Sequence, residues 1–251
     1  MGQIEVRRHE GIVELTLNRP AKLNAINEEM LLAMCDTFRE VSHRHDDKVL
    51  VIAGAGGNFS AGGDLAAPDP ESHRLDRMRI TGETALALHQ LPKPTIAKVS
   101  GVAVGAGFNL ALGCDLVIAG PTARFSQIFI QRGLSIDFGG SWLLPRIVGL
   151  RRAKQITLLG DFISAEQALD FGLVNDVVPE DELDHVVEDL ALRLAARPRI
   201  ALGLNKELLD ASFSMTMAEA VCAEGRCQTV NFATAETQED VERFRQTARG
   251  S

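Results

Sequence analysis

The sequence contains no tyrosine and one tryptophan, and aromatic residues make up only 5% of it. Single-stranded nucleic acid is bound on stacked aromatic platforms, so this scarcity argues against such a partner. Positive charge is also in deficit: 26 Lys and Arg stand against 34 Asp and Glu, a formal charge of -8. That leaves no broad basic footprint for a phosphate backbone, and any anionic ligand must be held locally. The four cysteines, Cys35, Cys114, Cys222 and Cys227, form neither a C-x-x-C pair nor a His-flanked zinc spacing. They read as reduced thiols used as small buried hydrophobes, with no metal site implied. No apolar run approaches the roughly 18 residues of a membrane span. Met1 to Glu10 carries charges where a signal peptide needs an apolar stretch, so no membrane association and a cytoplasmic location are expected. What remains is a chain of 251 residues, 45% hydrophobic and 24% charged, long enough to bury a sizeable core.

Ile4 to Val6 and Ile12 to Leu17 alternate as a hairpin around Glu10-Gly11. Asn27 is placed to cap a helix whose apolar positions are Met30, Leu31, Met34, Phe38 and Val41. Val49 to Ala53, Thr95 to Val99 and Leu116 to Ala119 read as buried parallel strands, with Ala103-Val104 ending a shorter one. Ile80 to Leu91 reads as a helix that Pro92-Lys93-Pro94 stops, and Phe108 to Leu112 begins another. Residues 66–76 read as a mobile surface segment. The recurring unit is strand, short strand or turn, then helix, which predicts an α/β spiral of β-β-α turns. From about Ala165 the pattern turns helical, at 165–171, 182–196, 200–211 and 217–231. The expected organisation is a spiral core over 1–195 and a C-terminal helical region over 196–251, its apolar faces packing on another subunit or back on the core.

Two glycine-dense loops follow strands and lead toward helices: Asn58-Phe59-Ser60-Ala61-Gly62-Gly63-Asp64-Leu65 and Gly101-Val102-Ala103-Val104-Gly105-Ala106-Gly107-Phe108-Asn109. Small residues there let a ligand approach unpaired backbone N–H groups. Tight turns also need glycine for purely structural reasons. Neither loop has the Gly-Lys-Ser/Thr ending of a P-loop or the full spacing of a dinucleotide fingerprint.

Four ordered strings resemble the crotonase (enoyl-CoA hydratase/isomerase) superfamily: Leu17-Asn18-Arg19-Pro20-Ala21-Lys22-Leu23-Asn24-Ala25, Phe59 to Leu65, the second loop ending in Cys114-Asp115, and Phe171-Gly172-Leu173-Val174. The resemblance implies a spiral β-β-α core, a homotrimer or dimer of trimers, and an acyl-CoA thioester as substrate. CoA enters as part of that substrate, and no separate cofactor is expected. It also implies an oxyanion hole of two backbone N–H groups, placed by motif position at Ala61 and Ala106. Each such donor is typically worth about 2.7–4 kcal/mol of transition-state stabilisation. By the same resemblance Arg19, Lys22, Asn24 and Ala25 meet CoA, as do Ser60, Gly62, Gly63, Asp64 and Leu65 of the first loop. The loop would meet the adenine through its backbone, with the Asp64 side chain capping the turn.

The two glutamates of family hydratases map to Asn109 and Phe129, so both carboxylates are missing. Eight residues past Phe129, Gly133-Leu134-Ser135-Ile136-Asp137-Phe138-Gly139-Gly140 puts an aspartate where family hydratases have glycine. Asp137 lies between apolar neighbours, which suits a desolvated proton shuttle. It also suits a cap for a helix beginning near Gly139-Gly140. A single carboxylate facing an oxyanion hole can move a double bond, so the expectation is a Δ3,Δ2-enoyl-CoA isomerase or a ring acyl-CoA isomerase. The alternatives are a weak hydratase and a non-catalytic acyl-CoA binder. Asn109, Phe129, Phe138 and Trp142 are the candidate acyl pocket, Trp142 equally suiting a subunit contact. His43, His45 and His89 read as structural or solvated.

Overall fold

The computed structural model describes residues 2–65 and 73–249. In chain order these form β1 (Ile4–His9), β2 (Ile12–Leu17), α1 (Glu28–His43), β3 (Val49–Gly54), α2 (Arg74–His89), β4 (Thr95–Val99), β5 (Val102–Val104), α3 (Ala106–Leu112) and β6 (Leu116–Ala119). The second half runs β7 (Arg124–Ser126), α4 (Gly140–Leu159), β8 (Ile163–Ser164), α5 (Ala165–Asp170), β9 (Asp176–Val177), α6 (Leu183–Ala195), α7 (Arg199–Ser212), α8 (Met217–Phe232) and α9 (Ala235–Arg249).

The β1–β2 hairpin is antiparallel, and β2, β3, β4, β6 and β9 continue the same sheet in parallel. A second sheet has the order β5-β7-β8, with β5 and β7 parallel. Successive turns of the chain thus contribute a long strand to one sheet and a short strand to the other, with helices between. Strands covered on both faces need apolar residues at nearly every position, which is why β3 carries no polar side chain and β4 only Thr95 and Lys98.

On α1, Asn27 accepts a hydrogen bond from Met30 N, and Met30, Leu31, Met34, Phe38 and Val41 are buried. That helix packs with Leu15, Ile52 and Phe108 into the main core. Its C-terminal carbonyls are met by the fully buried Lys93, whose ammonium donates to Val41 O and Arg44 O. A smaller core forms on the other face of the large sheet, where Leu183, Val187, Ala191 and Ala195 of α6 cover Ile12, Val49, Val51 and Ile96. Beyond it, α7 and α8 bury no residue, and Leu209, Phe213, Met217 and Phe232 are exposed.

The structure departs from the sequence expectations in several places. Helix α2 starts at Arg74, so residues 74–76 are helical, while 66–72 lie outside the described residues. Helix α4 is 20 residues long, although only its start is legible in the sequence. Pro145 and a left-handed Gly149 (φ +74°) interrupt its apolar period. Cys35 and Cys114 are buried as expected, but Cys222 is exposed and Cys227 half-buried, on a helix that buries none of its residues.

Candidate active site

The two glycine loops lie against each other. Ser60 bridges to Ala103 through Ser60 N to Val102 O at 2.9 Å and Val104 N to Ser60 O at 3.0 Å. Gly62 (φ +84°) then turns the first loop so closely past the second that a Cβ there would stand 2.7 Å from Val104 O and 3.5 Å from Ala106 N. Only glycine fits both the angle and the space.

This pairing bears on the first N–H expected to be free. The Ala61 N–H is not free: it donates to Leu23 O at 2.8 Å. Further along, Ile26 N donates to Gly62 O at 2.7 Å and Asp64 N donates to Ile26 O at 2.8 Å. Backbone groups alternate sides along an extended segment, so these bonds turn the Gly63 N–H away from Ile26, toward β5 and the start of α3. It has no partner among the described residues. Ala106 is the first residue of α3, and its N–H has no carbonyl inside that helix to meet. Gly63 and Ala106 are therefore the available pair.

Beneath the loop lies a brace. Arg19 forms an ion pair at 2.9 Å with the buried Asp64 and also donates to Ala25 O. Asn24 is fully buried in a left-handed conformation (φ +55°), with Oδ1 accepting from Arg19 N at 2.9 Å and Nδ2 donating to Asn58 O at 2.7 Å. The Ser60 hydroxyl, also fully buried, donates to Asn24 O at 2.8 Å. Arg19, Asn24, Ser60 and Asp64 thus shape the loop from below. Each of these side chains has an internal partner, and Arg19 stays partly exposed. Of the residues expected to meet CoA, Lys22, Gly63 and Leu65 are exposed, Ala25 is half-buried, and Gly62 is buried at the loop contact.

Asp137 stands in the turn before α4, half-buried. One carboxylate oxygen, Oδ1, is buried with no hydrogen-bond partner. Burial pushes its pKa up to about 6, with the Arg77 guanidinium nearby pulling the other way. Arg77, on α2, also donates to Asp64 O at 2.9 Å, tying the first loop to the neighbourhood of Asp137. Phe129 is buried against Gly105 of the second loop, its ring 3.6 Å from where a Cβ would lie. Phe138 is buried beside the aspartate in sequence. Asn109 is fully buried, and both ends of its amide are bound within the protein, to Asp137 O at 2.9 Å and to Gln127 Nε2 at 2.6 Å. It is not available as a polar group for substrate.

Trp142 lies elsewhere. Its ring meets His89 edge-on at 5.0 Å and carries Arg146 at 3.9 Å, lining a cleft of about 540 Å³ with Leu112, Lys206 and Phe213. None of the loop donors, nor Asp137, lines that cleft. Among the described residues, metal-ligating side chains gather at His9, Glu10 and Glu188, on the hairpin turn and α6, elements that carry none of these loop residues.

Sequence reasoning missed Gly63 as a donor, Arg77 and Gln127. Alternation counted back from the Ile26 bridge identifies Gly63, but the bridge itself is long-range. Arg77 and Gln127 carry no local signal.

The two loops thus leave the Gly63 and Ala106 N–H groups without a partner among the described residues, and the Asn109–Asp137 and Arg77–Asp64 bonds tie the turn of Asp137 to both loops. The family description for enoyl-CoA hydratase/isomerase matches residues 7–249, and the chain belongs to that family. It is 37% identical over 242 residues to 1,2-epoxyphenylacetyl-CoA isomerase of Escherichia coli (strain K12), covering 94% of this chain and 92% of that one. It is 33% identical over 244 residues to crotonyl-CoA hydratase of Syntrophomonas wolfei, covering 96% and 94%. Among solved structures, an enoyl-CoA hydratase from Mycobacterium smegmatis superposes with a TM-score of 0.93 at 32% identity, covering 98% of this chain and 97% of that one. The fold is the crotonase spiral.

Proposed function

We propose that the chain is an acyl-CoA isomerase in which Asp137 moves a proton between two carbons of an unsaturated acyl thioester. The N–H groups of Gly63 and Ala106 hold the thioester oxygen. In the forward direction the Asp137 carboxylate takes a proton from the α-carbon of a 3-enoyl-CoA. The electron pair delocalises onto the thioester oxygen, where the two donors stabilise it. The protonated Asp137 then returns the proton to the γ-carbon, and the double bond ends between α and β. No water and no second acid are consumed. A pKa of about 6 leaves the group mostly ionised at neutral pH yet close enough to share a proton both ways.

The observation that carries this reading is the buried, unpartnered Asp137 oxygen next to positions where neither Asn109 nor Phe129 can act as an acid. Similarity to 1,2-epoxyphenylacetyl-CoA isomerase extends the candidate substrates to ring-bearing acyl-CoA thioesters. The runner-up is hydration, supported by similarity to crotonyl-CoA hydratase. Lys22, exposed and just before the brace, is the proposed contact for CoA phosphates. The spiral core over 1–195 acts in a cytoplasmic homotrimer or dimer of trimers, with 196–251 covering its exposed apolar residues on neighbouring subunits.

Supplying 3-enoyl-CoA, crotonyl-CoA and a ring-bearing acyl-CoA separately tests the proposal. Isomerisation that greatly exceeds hydration supports it. Efficient water addition to crotonyl-CoA replaces it with the hydratase reading, and binding without turnover of any of the three replaces it with a binding protein.

A further inference from the structure

The backbone carrying Asp137 is unusual. Phe138 (φ +48°) and Gly139 (φ +77°) are both left-handed, and a bulky residue keeps that conformation only where its surroundings over-determine it. Two donors converge on the Asp137 carbonyl, Gly140 N at 2.9 Å and Asn109 Nδ2 at 2.9 Å. A carbonyl only accepts, so it dictates which end of the Asn109 amide faces it. Asn109 Oδ1 is then left to accept from Gln127 Nε2 at 2.6 Å. Both side chains are fully buried, so neither can exchange its partner for water. Gly140 closes the bracket, since a Cβ there would lie 2.4 Å from the Asn109 amide. Gln127 Oε1 stays buried without a partner, a polar group that the fold leaves unsatisfied beside this contact.

We infer that Asn109, oriented by Gln127, is the positioning residue for Asp137, fixing the backbone of its turn so that the carboxylate stays in a water-poor place beside Arg77. The inference rests on the proposed role of Asp137. It assigns to Asn109 a task different from that of the glutamate at the same place in family hydratases: the amide aims an acid on another element instead of serving as one. Arg77 of α2 is the charged side chain that faces Asp137. The described residues of α3 and the first turn of α4 carry no titratable group, and Arg132 in the preceding turn is exposed.

Three substitutions disturb the bracket without touching Asp137: Asn109→Ser, Gln127→Met and Gly140→Ala. Isomerisation of 3-enoyl-CoA is followed from pH 4 to 8, with Asp137→Asn alongside. The expected result is a kcat lower by about 10- to 100-fold with KM within about threefold, since small misplacements of a catalytic group cost on that scale. The acid limb of kcat/KM should also move below its wild-type position, because a loosened carboxylate meets water and ionises more easily. Wild-type kcat and an unmoved acid limb, with only thermal stability reduced, would overturn the inference. For variants too slow to profile, urea unfolding compares each with its double mutant carrying Asp137→Asn. The stability gap at neutral pH should shrink in the bracket variants, and a gap equal to that in the wild-type background overturns the assignment. If Asp137→Asn is itself fully active, the proposed chemistry fails, and the gap measurement still decides the role of Asn109.

Discussion

Replacing Asp137 by asparagine is expected to make the protein more stable at neutral pH. Burial raises the carboxyl from 3.8 to about 6, so above pH 6 the folded state holds an ion that the unfolded chain solvates better. Each pKa step is 1.36 kcal/mol, which makes this cost about 3 kcal/mol as an upper figure. Asp137 is half-buried, so residual solvent reduces the gain expected for the neutral amide to about 1–3 kcal/mol. The sign with pH follows from proton uptake. Between about pH 6 and 4 the folded wild type binds a proton that the unfolded chain does not, so it gains stability as pH falls through that window. The asparagine variant has no such titration. Its advantage is therefore largest above pH 6, closes through the window and is gone below 3.8. Urea unfolding of both proteins at pH 7.5, 6, 5 and 4 measures it, and other acid-sensitive groups cancel in the difference. A gap that does not change with pH, or a wild type that is the more stable at pH 7.5, would refute the reasoning. The exchange of stability for a poised group is the usual pattern where activity needs a strained site.

The oxyanion pair predicts opposite outcomes at one position. Gly63→Pro removes the N–H and should lower kcat by about 10²–10³-fold, whereas Gly63→Ala keeps the N–H, places a Cβ where nothing lies within 4 Å, and should remain active. Arg19→Ala breaks the ion pair with buried Asp64 and should cost about 3 kcal/mol, seen in thermal or urea melts. Lys22→Ala should leave stability within about 0.5 kcal/mol and raise KM for CoA thioesters in steady-state kinetics.

Much of this fold is legible because strands such as β3 are buried at most positions and α1 carries its own cap. The run Val49 to Ala53 has nowhere to sit but inside a sheet, and Asn27 marks the start of α1 by chemistry that needs no tertiary knowledge. Helix α4 is illegible because Pro145 and Gly149 break its period, and its course is set by packing against α3 and the turn before it. The strands β7, β8 and β9, at two or three residues each, are too short to show any period and exist only through pairing.

The site divides in the same way. Asp137 and Ala106 stand out in the sequence by their places in the family resemblance, Asp137 also by its apolar neighbours. Arg19 reads from the sequence as a ligand contact, and its ion pair with Asp64, 45 positions away, is not legible there. Ala61 and Gly63 would face the same side of a regular extended segment, but Gly62 (φ +84°) turns the chain between them. Ala61 N therefore pairs with Leu23 O, while the Ile26 bridge uses Gly62 O and Asp64 N and leaves the Gly63 N–H pointing the other way. Similarly, nothing near Asn109 in sequence announces that its amide is bound at both ends.

The rate at which purified Asp137→Asn converts 3-enoyl-CoA to 2-enoyl-CoA at pH 7.5, relative to wild type, tests the central claim most directly. Loss of the acid/base group should slow turnover by about 10²–10⁴-fold while the protein remains folded. A variant that isomerises within threefold of wild type would contradict the account.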